Sequence, residues 1–311
     1  MQYVVTGGAG FIGSHLVDQL VREGDGVVVI DDCSSGDEAR LSAYIAAGSV
    51  FFYKRSILDD LADIFLEHKV DGVFHLAACP QVQYSLLHPK ETHDINVDGT
   101  LALLEQARLH GVKSFVFASS SAVYGAVNVL PCAESVAPAP LSPYALHKLI
   151  GEEYLALYHR IYKLNTIALR FFNVYGPRQN PSGAYASLIP KCIEKIQSGQ
   201  APLINGDGEQ TRDFVFVVDV VSALILAMSC SDEAVYGGVF NVGGGTSTSV
   251  NAVVNELLIA TGADLVPVHG ESVIEPRNTC ADISLIKTGL AWQPTVSLKE
   301  GIAEIVRCAQ R

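Results

Sequence analysis

Gln2-Tyr-Val-Val-Thr-Gly-Gly-Ala-Gly-Phe-Ile-Gly13 opens the chain and decides how the rest is read. Gln2 to Thr6 reads as a buried strand, and His15 to Arg22 carries helical spacing in Leu16, Val17, Leu20 and Val21. Between them lie the glycines. Strand, glycine turn and helix in that order allow a backbone to approach a pyrophosphate, and the helix N-terminus adds unpaired N–H groups and the positive end of its dipole. Gly7, Gly10, Phe11, Ile12 and Gly13 are therefore candidate contacts to a dinucleotide. The next apolar strand, Val27 to Ile30, ends in Asp31-Asp32, 18 residues beyond Gly13. An acid there accepts hydrogen bonds from a ribose diol and repels a 2′-phosphate, so NAD is favoured over NADP. No arginine stands beside Asp31 in the sequence to reverse this, because Arg40 falls well into the following segment.

Downstream the pattern alternates. Val50 to Tyr53, a helix near residues 59–67, Gly72 to Leu76, a helix near 94–110, and Ser114 to Ala118 follow one another as βαβ units do. That alternation predicts an α/β fold of Rossmann type, a doubly wound parallel sheet with ligands at its carboxyl edge. From Asn173 the regularity loosens into prolines and the glycine turns Gly206-Asp-Gly208 and Gly243-Gly-Gly245. We expect a cofactor-binding domain over 1–172 and a smaller α/β substrate domain over 173–311, parts of which can return to the first, with the site in the cleft between them.

A chain of 311 residues with 49% hydrophobic content can bury a full core. A formal charge of −12 argues against nucleic acid or an anionic membrane as partner, and it requires any phosphate site to be built locally from a few arginines and helix ends. Seven cysteines without a Cys-x-x-Cys suggest neither a disulfide framework nor a metal site, and reduced thiols fit a cytoplasmic protein. The chain enters a strand at Gln2 without a basic leader, and the most apolar run, Phe214 to Met228, is interrupted by Asp219; both read as a soluble protein without a cleaved signal.

Ser142-Pro-Tyr-Ala-Leu-His-Lys148 places a phenol and an ammonium four residues apart in the first turns of a helix, on one face. An unperturbed phenol titrates near ~10 and is a poor base at neutral pH. An ammonium ~4–5 Å away is worth roughly 4 kcal/mol at an effective dielectric of about 20, or about three pKa units, which brings a phenolate within reach of pH 7.

These features resemble the extended short-chain dehydrogenase/reductase family and, within it, the UDP-sugar 4-epimerases. The motifs run nearly end to end: Thr6 to Gly13, Phe74-His-Leu-Ala-Ala78, Asn96-Val-Asp-Gly-Thr100, Ser119-Ser-Ser-Ala-Val-Tyr-Gly125, Tyr144-x-x-x-Lys148, Arg170-Phe-Phe-Asn-Val-Tyr-Gly-Pro-Arg178 and Gly206-Asp-Gly-x-x-Thr-Arg-Asp213. The resemblance implies NAD as a retained cofactor and a UDP-hexose as substrate. Tyr144 then takes the C4 hydroxyl proton while a hydride passes from C4 to the nicotinamide. The 4-keto sugar turns over and receives it back on its other face. Ser120 is implied to bond the reacting oxygen, Lys148 to hold the nicotinamide ribose, and Leu76, Ala77 and Ala78 to line the cofactor.

Related dehydratases carry an acid pair after the serine position, because expelling water needs further proton donors and acceptors. This chain has Ser121 and Ala122 there, so reversible transfer at C4 is the simplest chemistry. Arg212 and Arg277 are implied for the diphosphate, with Asn173 through its amide, and Ser85 and Asn96 for the sugar and nicotinamide; helix capping explains the last two as well. Thr279, three positions before Asp282, falls where a small residue is implied to admit N-acetyl sugars.

Two departures stand out. Ser56-Ile57 replaces the acidic adenine contact, and His147 precedes the lysine where a small residue is usual; adjacent helix positions diverge by ~100°, so we expect His147 on the solvent side. The resemblance further implies a homodimer joined through the helices near 94–110 and 144–163, which carry Leu101, Leu104, Leu149, Tyr154, Tyr158 and Ile161. Alternatives on the same residues are a UDP-glucuronate 4-epimerase or another nucleotide-sugar epimerase or reductase, and, in another class, a non-catalytic NAD-sensing protein. Intact Ser120, Tyr144 and Lys148 argue against the last.

Overall fold

The computed structural model describes residues 1–127, 129–181, 187–272 and 276–309. Seven parallel strands form its main sheet: β1 (Gln2–Thr6), β2 (Gly26–Ile30), β3 (Val50–Tyr53), β4 (Gly72–His75), β5 (Ser114–Ser120), β6 (Asn165–Phe171) and β7 (Gly238–Val242). Their order across the sheet is β7-β6-β5-β4-β1-β2-β3. Val4, Val5, Val27 to Ile30, Val73, Phe74 and Phe115 to Phe117 are almost fully buried. Such strands are covered on both faces, which is why they read as continuous apolar runs rather than alternating ones. The order reverses between β1 and β4, and the carboxyl ends there form the crevice where ligands bind in open α/β sheets.

Helix α1 (Phe11–Arg22) follows β1, and α2 (Gly99–Leu109) is reached through a π-helical turn at Asp94–Asp98. Helix α3 (Pro143–Tyr162) starts cleanly, with Ser142 Oγ accepting the Ala145 N–H at 3.1 Å and Pro143 in the first turn. Its inner face holds Tyr144, Lys148, Glu152, Leu155 and Tyr158. The apolar positions expected to face outward divide: Leu104 and Tyr158 belong to the core, Leu101, Leu149 and Tyr154 are partly buried against it, and Ile161 is exposed, as are the neighbouring Leu109 and Tyr162.

Residues beyond 173 do not stay apart from the sheet. Helix α4 (Val217–Ser229) packs on α1 and the sheet, and β7 pairs with β6. Asp219, which interrupts the most apolar run, is buried and accepts bonds from Thr295 N, Thr295 Oγ1 and Val296 N, fixing the C-terminal segment. A separate core gathers the helices at Leu188–Gln197, Val250–Thr261 and Leu298–Ala309 around Tyr175, Ile204 and Phe216.

Candidate active site

The glycine turn is held by contacts between backbone atoms. A Cβ on Gly13 would stand 2.1 Å from the Gly7 carbonyl oxygen, and one on Gly7, whose φ is +69°, would stand 2.8 Å from Ala77 N. These positions exclude side chains. Leu76 N and Ala77 N donate to Thr6 O and Thr6 Oγ1, which seats the segment 76–78 against the turn. The Asp31 carboxylate accepts from Ala9 N at 2.9 Å and Cys33 N at 2.8 Å, and burial raises its pKa above the usual carboxylate range. Asp32 accepts from Ser34 N. A bare backbone cradle at a helix N-terminus with an acid at the next strand end fits NAD.

Arg40 is not distant, as its place in the sequence suggested. The loop after β2 folds back, so that Arg40 donates to Ala9 O at 3.1 Å and to Arg178 O at 3.0 Å, and its charge acts on Asp31. Both of its contacts are carbonyls, so the guanidinium closes the rim of the turn. Ser56 Oγ accepts from Leu58 N, while Ile57 is a core residue packed over Gly99.

At the carboxyl ends of β4 and β5 the structure brings Ser120, Tyr144 and Lys148 together. The Ser120 hydroxyl, which accepts the Ala122 N–H at 3.2 Å, acts on the Tyr144 phenol, and the Lys148 ammonium lies 5.9 Å from the Tyr144 ring centre. Lys148 Nζ donates to Ala118 O at 2.7 Å and sits over the Phe117 ring. Burial lowers the Lys148 pKa to about 7, with Glu152 opposing the fall. The depressed phenol expected from the sequence is not found in the chain alone: burial raises the Tyr144 pKa, and the Ser120 hydrogen bond only partly offsets this. The reason is that both partners are desolvated, and the ammonium is turned to a carbonyl instead of the phenol oxygen.

Ser85 binds the first turn of α3. Its Oγ accepts the Tyr144 N–H at 3.1 Å and donates to Val82 O at 2.6 Å. Asn96 bonds both the N–H and the carbonyl of Cys79 through its side chain. His147 is buried, not solvent-facing, because the helix at Pro89–His93 covers it, with the His93 and His147 rings edge to face at 5.2 Å. Burial takes the His147 pKa to about 4, and its Nδ1 has no hydrogen-bond partner among the described residues. His75 bridges Thr6 Oγ1 and Thr100 Oγ1 at 2.8 Å each and is kept neutral by burial.

The substrate edge is organised by Asp213. This fully buried carboxylate accepts from Gly244 N, Gly245 N and Ala281 N, and burial lifts its pKa to about 6. Thr279 is half-buried beside it, with Oγ1 accepting the Asp213 N–H at 3.3 Å. The Asn173 amide donates to Asp213 O. Arg212 donates to the carbonyls of Thr211 and Arg277, whereas the exposed Arg277 guanidinium lies in a forked pair with Asp207 at 2.8 and 2.9 Å. These residues are therefore brought to one edge, though Arg277 reaches it already paired.

Glu152 and Asn241 belong to none of the motifs quoted above, and Tyr124, Arg170 and Asp213 stand there only as letters within them. Glu152 and Arg170 form a buried ion pair, Arg170 lies over the Tyr124 ring, and Tyr124 donates to Asn241 Oδ1 at 2.7 Å. A glutamate four residues beyond the lysine was the available signal.

The model of the NAD dependent epimerase/dehydratase family matches residues 3–243. A UDP-glucose 4-epimerase of Mycolicibacterium smegmatis is 41% identical, with 98% of this chain and 97% of that protein covered. Among solved structures, a UDP-glucose 4-epimerase from Thermotoga maritima with UDP-glucose superposes with a TM-score of 0.94 at 41% identity, covering 100% and 99% of the two chains. A UDP-N-acetylglucosamine 4-epimerase from Methanobrevibacter ruminantium, in complex with UDP-N-acetylmuramic acid, gives 0.94 at 36% identity with the same coverage.

Proposed function

We propose, for a chain that belongs to the NAD dependent epimerase/dehydratase family, that it inverts C4 of a UDP-hexose. The observation that carries this reading is the constellation of Ser120, Tyr144 and Lys148 at the sheet edge beside the glycine cradle. No acid follows Ser120 to expel water, and Glu152, the buried acid behind it, is committed to Arg170 and Ser119. In this reading Tyr144 takes the C4 hydroxyl proton and returns it after inversion. Ser120 orients the reacting oxygen. Lys148 holds the cofactor ribose and its positive charge favours the phenolate. Bound NAD⁺ supplies the acceptor, and then the donor, of the hydride. Residues Gly7, Gly10, Phe11, Ile12, Gly13, Asp31, Asp32, Ser56, Ile57 and 76–78 line that cofactor. Arg212, Arg277 and Asn173 take the diphosphate; for Arg277 this requires exchange of Asp207 for phosphate.

The substrate range includes UDP-GlcNAc/UDP-GalNAc beside UDP-Glc/UDP-Gal. Thr279 supports this, since a small wall leaves room for the C2 substituent, and adding atoms to a packed site costs roughly 1–3 kcal/mol. Residues 1–172 serve the cofactor and 173–311 the nucleotide sugar, with 217–242 rejoining the sheet. Exposed Leu109, Ile161 and Tyr162 support a homodimer through α2 and α3, and the seven free cysteines support a cytoplasmic location. Among the described residues no helix is long and apolar enough to cross a membrane.

Product analysis by NMR over neutral, N-acetylated and uronate UDP-sugars tests the reading. Turnover of both neutral pairs is expected, with Thr279→Tyr removing only the N-acetylated pair. Exclusive turnover of the uronate contradicts the substrate assignment, and equal loss of both neutral pairs in Thr279→Tyr removes Thr279 from the wall.

A further inference from the structure

Behind Tyr144 and Lys148 lies a buried charged cluster that the chemistry above leaves unused. Glu152 follows Lys148 by one turn of α3, on the same face, and is 4% exposed. Its Oε1 accepts from Ser119 Oγ at 2.5 Å and from Arg170 Nε at 2.9 Å, and its Oε2 accepts from Arg170 Nη2 at 2.6 Å. Ser119 and Arg170 are paired across β5 and β6. Ser119 separates Ala118, whose carbonyl holds Lys148, from Ser120, whose hydroxyl acts on the Tyr144 phenol. One carboxylate thus grips the peptide on which both partners of the phenol depend.

Lys148 faces Glu152, Tyr144 and His147 from its own helix and His75 from β4; Glu152 also faces Arg170 from β6, which in turn lies over Tyr124 and acts on Cys132 and Glu134. His75 is neutral, so Glu152 is the anion that favours the Lys148 ammonium against burial. An ion pair present only for stability can often be replaced by apolar residues without loss. This one keeps a third bond to Ser119, and Arg170 Nη1 has no hydrogen-bond partner among the described residues.

We infer that Glu152 is a positioning residue for the proposed reaction: clamped by Arg170, its carboxylate fixes the strand end that carries Ser120 and the Lys148 acceptor, and it sets a negative charge one turn from the ammonium. The inference rests on the roles proposed above for Tyr144 and Lys148.

NMR titration of the holoenzyme labelled with ¹³C at lysine Cε reads the ammonium without any sugar, with the Lys148 signal assigned by its absence from Lys148→Arg. Glu152→Gln keeps the shape and removes the charge. Its Lys148 midpoint is expected to fall by about one pH unit, and the high-pH limb of turnover with it. An unchanged midpoint in folded Glu152→Gln overturns the inference. If Glu152→Gln is recovered unfolded, Ser119→Ala decides, because it leaves the ion pair and its charge in place. Ser119→Ala is expected to lower kcat about tenfold with KM near the wild-type value, and wild-type kcat overturns the inference. A wild type that converts no UDP-sugar would remove the proposed reaction while the Lys148 titration still answers, so the two failures are distinguishable.

Discussion

Around the glycine turn the contacts are made by backbone atoms set so close that a single Cβ at Gly13 meets a carbonyl oxygen at 2.1 Å. Beneath Tyr144 and behind Thr279 they are made by buried ionisable side chains, Glu152 with Arg170 and Asp213 with three backbone N–H groups. The difference decides how each region fails. In the cradle a substitution adds atoms, and the damage is steric and indifferent to pH. In the second region it strips a charge from its partner, and the damage depends on protonation.

Arg170→Met puts the contrast to its hardest test. It leaves the Glu152 carboxylate buried without its cation, and breaking such a pair costs about 3–5 kcal/mol. Urea unfolding should show that loss, and a change under about 1 kcal/mol would mean that the pair is dispensable. Gly13→Ala should come next. The added methyl meets backbone and cannot turn aside, so NAD affinity should fall about a hundredfold, at a cost of about 3 kcal/mol, equally at acid and neutral pH. Calorimetric titration with NAD checks it, and retained affinity would mean that the turn relaxes.

Asp213→Asn should have the smallest effect and the most distinctive pH dependence. A carboxyl whose folded pKa, about 6, lies above its ordinary value of 3.8 holds its proton better in the folded chain. Its ionisation therefore destabilises the fold above pH 6, and the penalty is relieved as pH falls toward 4. The wild type should gain about 1–2 kcal/mol on Asp213→Asn between pH 8 and pH 5. A stability difference that is flat with pH would show that Asp213 titrates normally.

The cradle was legible in the sequence because its requirement is local. Glycines at 7, 10 and 13 between a strand and a helix state their own steric reason, and the parallel strands declare themselves as apolar runs. The grouping of Ser120, Tyr144 and Lys148 was legible through spacing and resemblance. The floor beneath it was not, because a Glu, an Arg and an Asp look like surface residues until strand pairing buries them. Ser119 meets Arg170 through the β5 and β6 register, and Asp213 meets Ala281 across 68 residues. His147 was misjudged for the same reason, since its cover comes from the segment 89–93. Arg40 was placed too far away because the loop after β2 doubles back to Ala9.

If C4 is inverted by a transfer whose hydrogen never leaves the site, a UDP-hexose carrying deuterium at C4 reveals it. Tyr144 exchanges only the oxygen-bound proton, so full retention of deuterium at C4 of the epimer is expected without added NADH. Loss of the label to solvent would show abstraction of a proton from carbon and would exclude hydride transfer at C4.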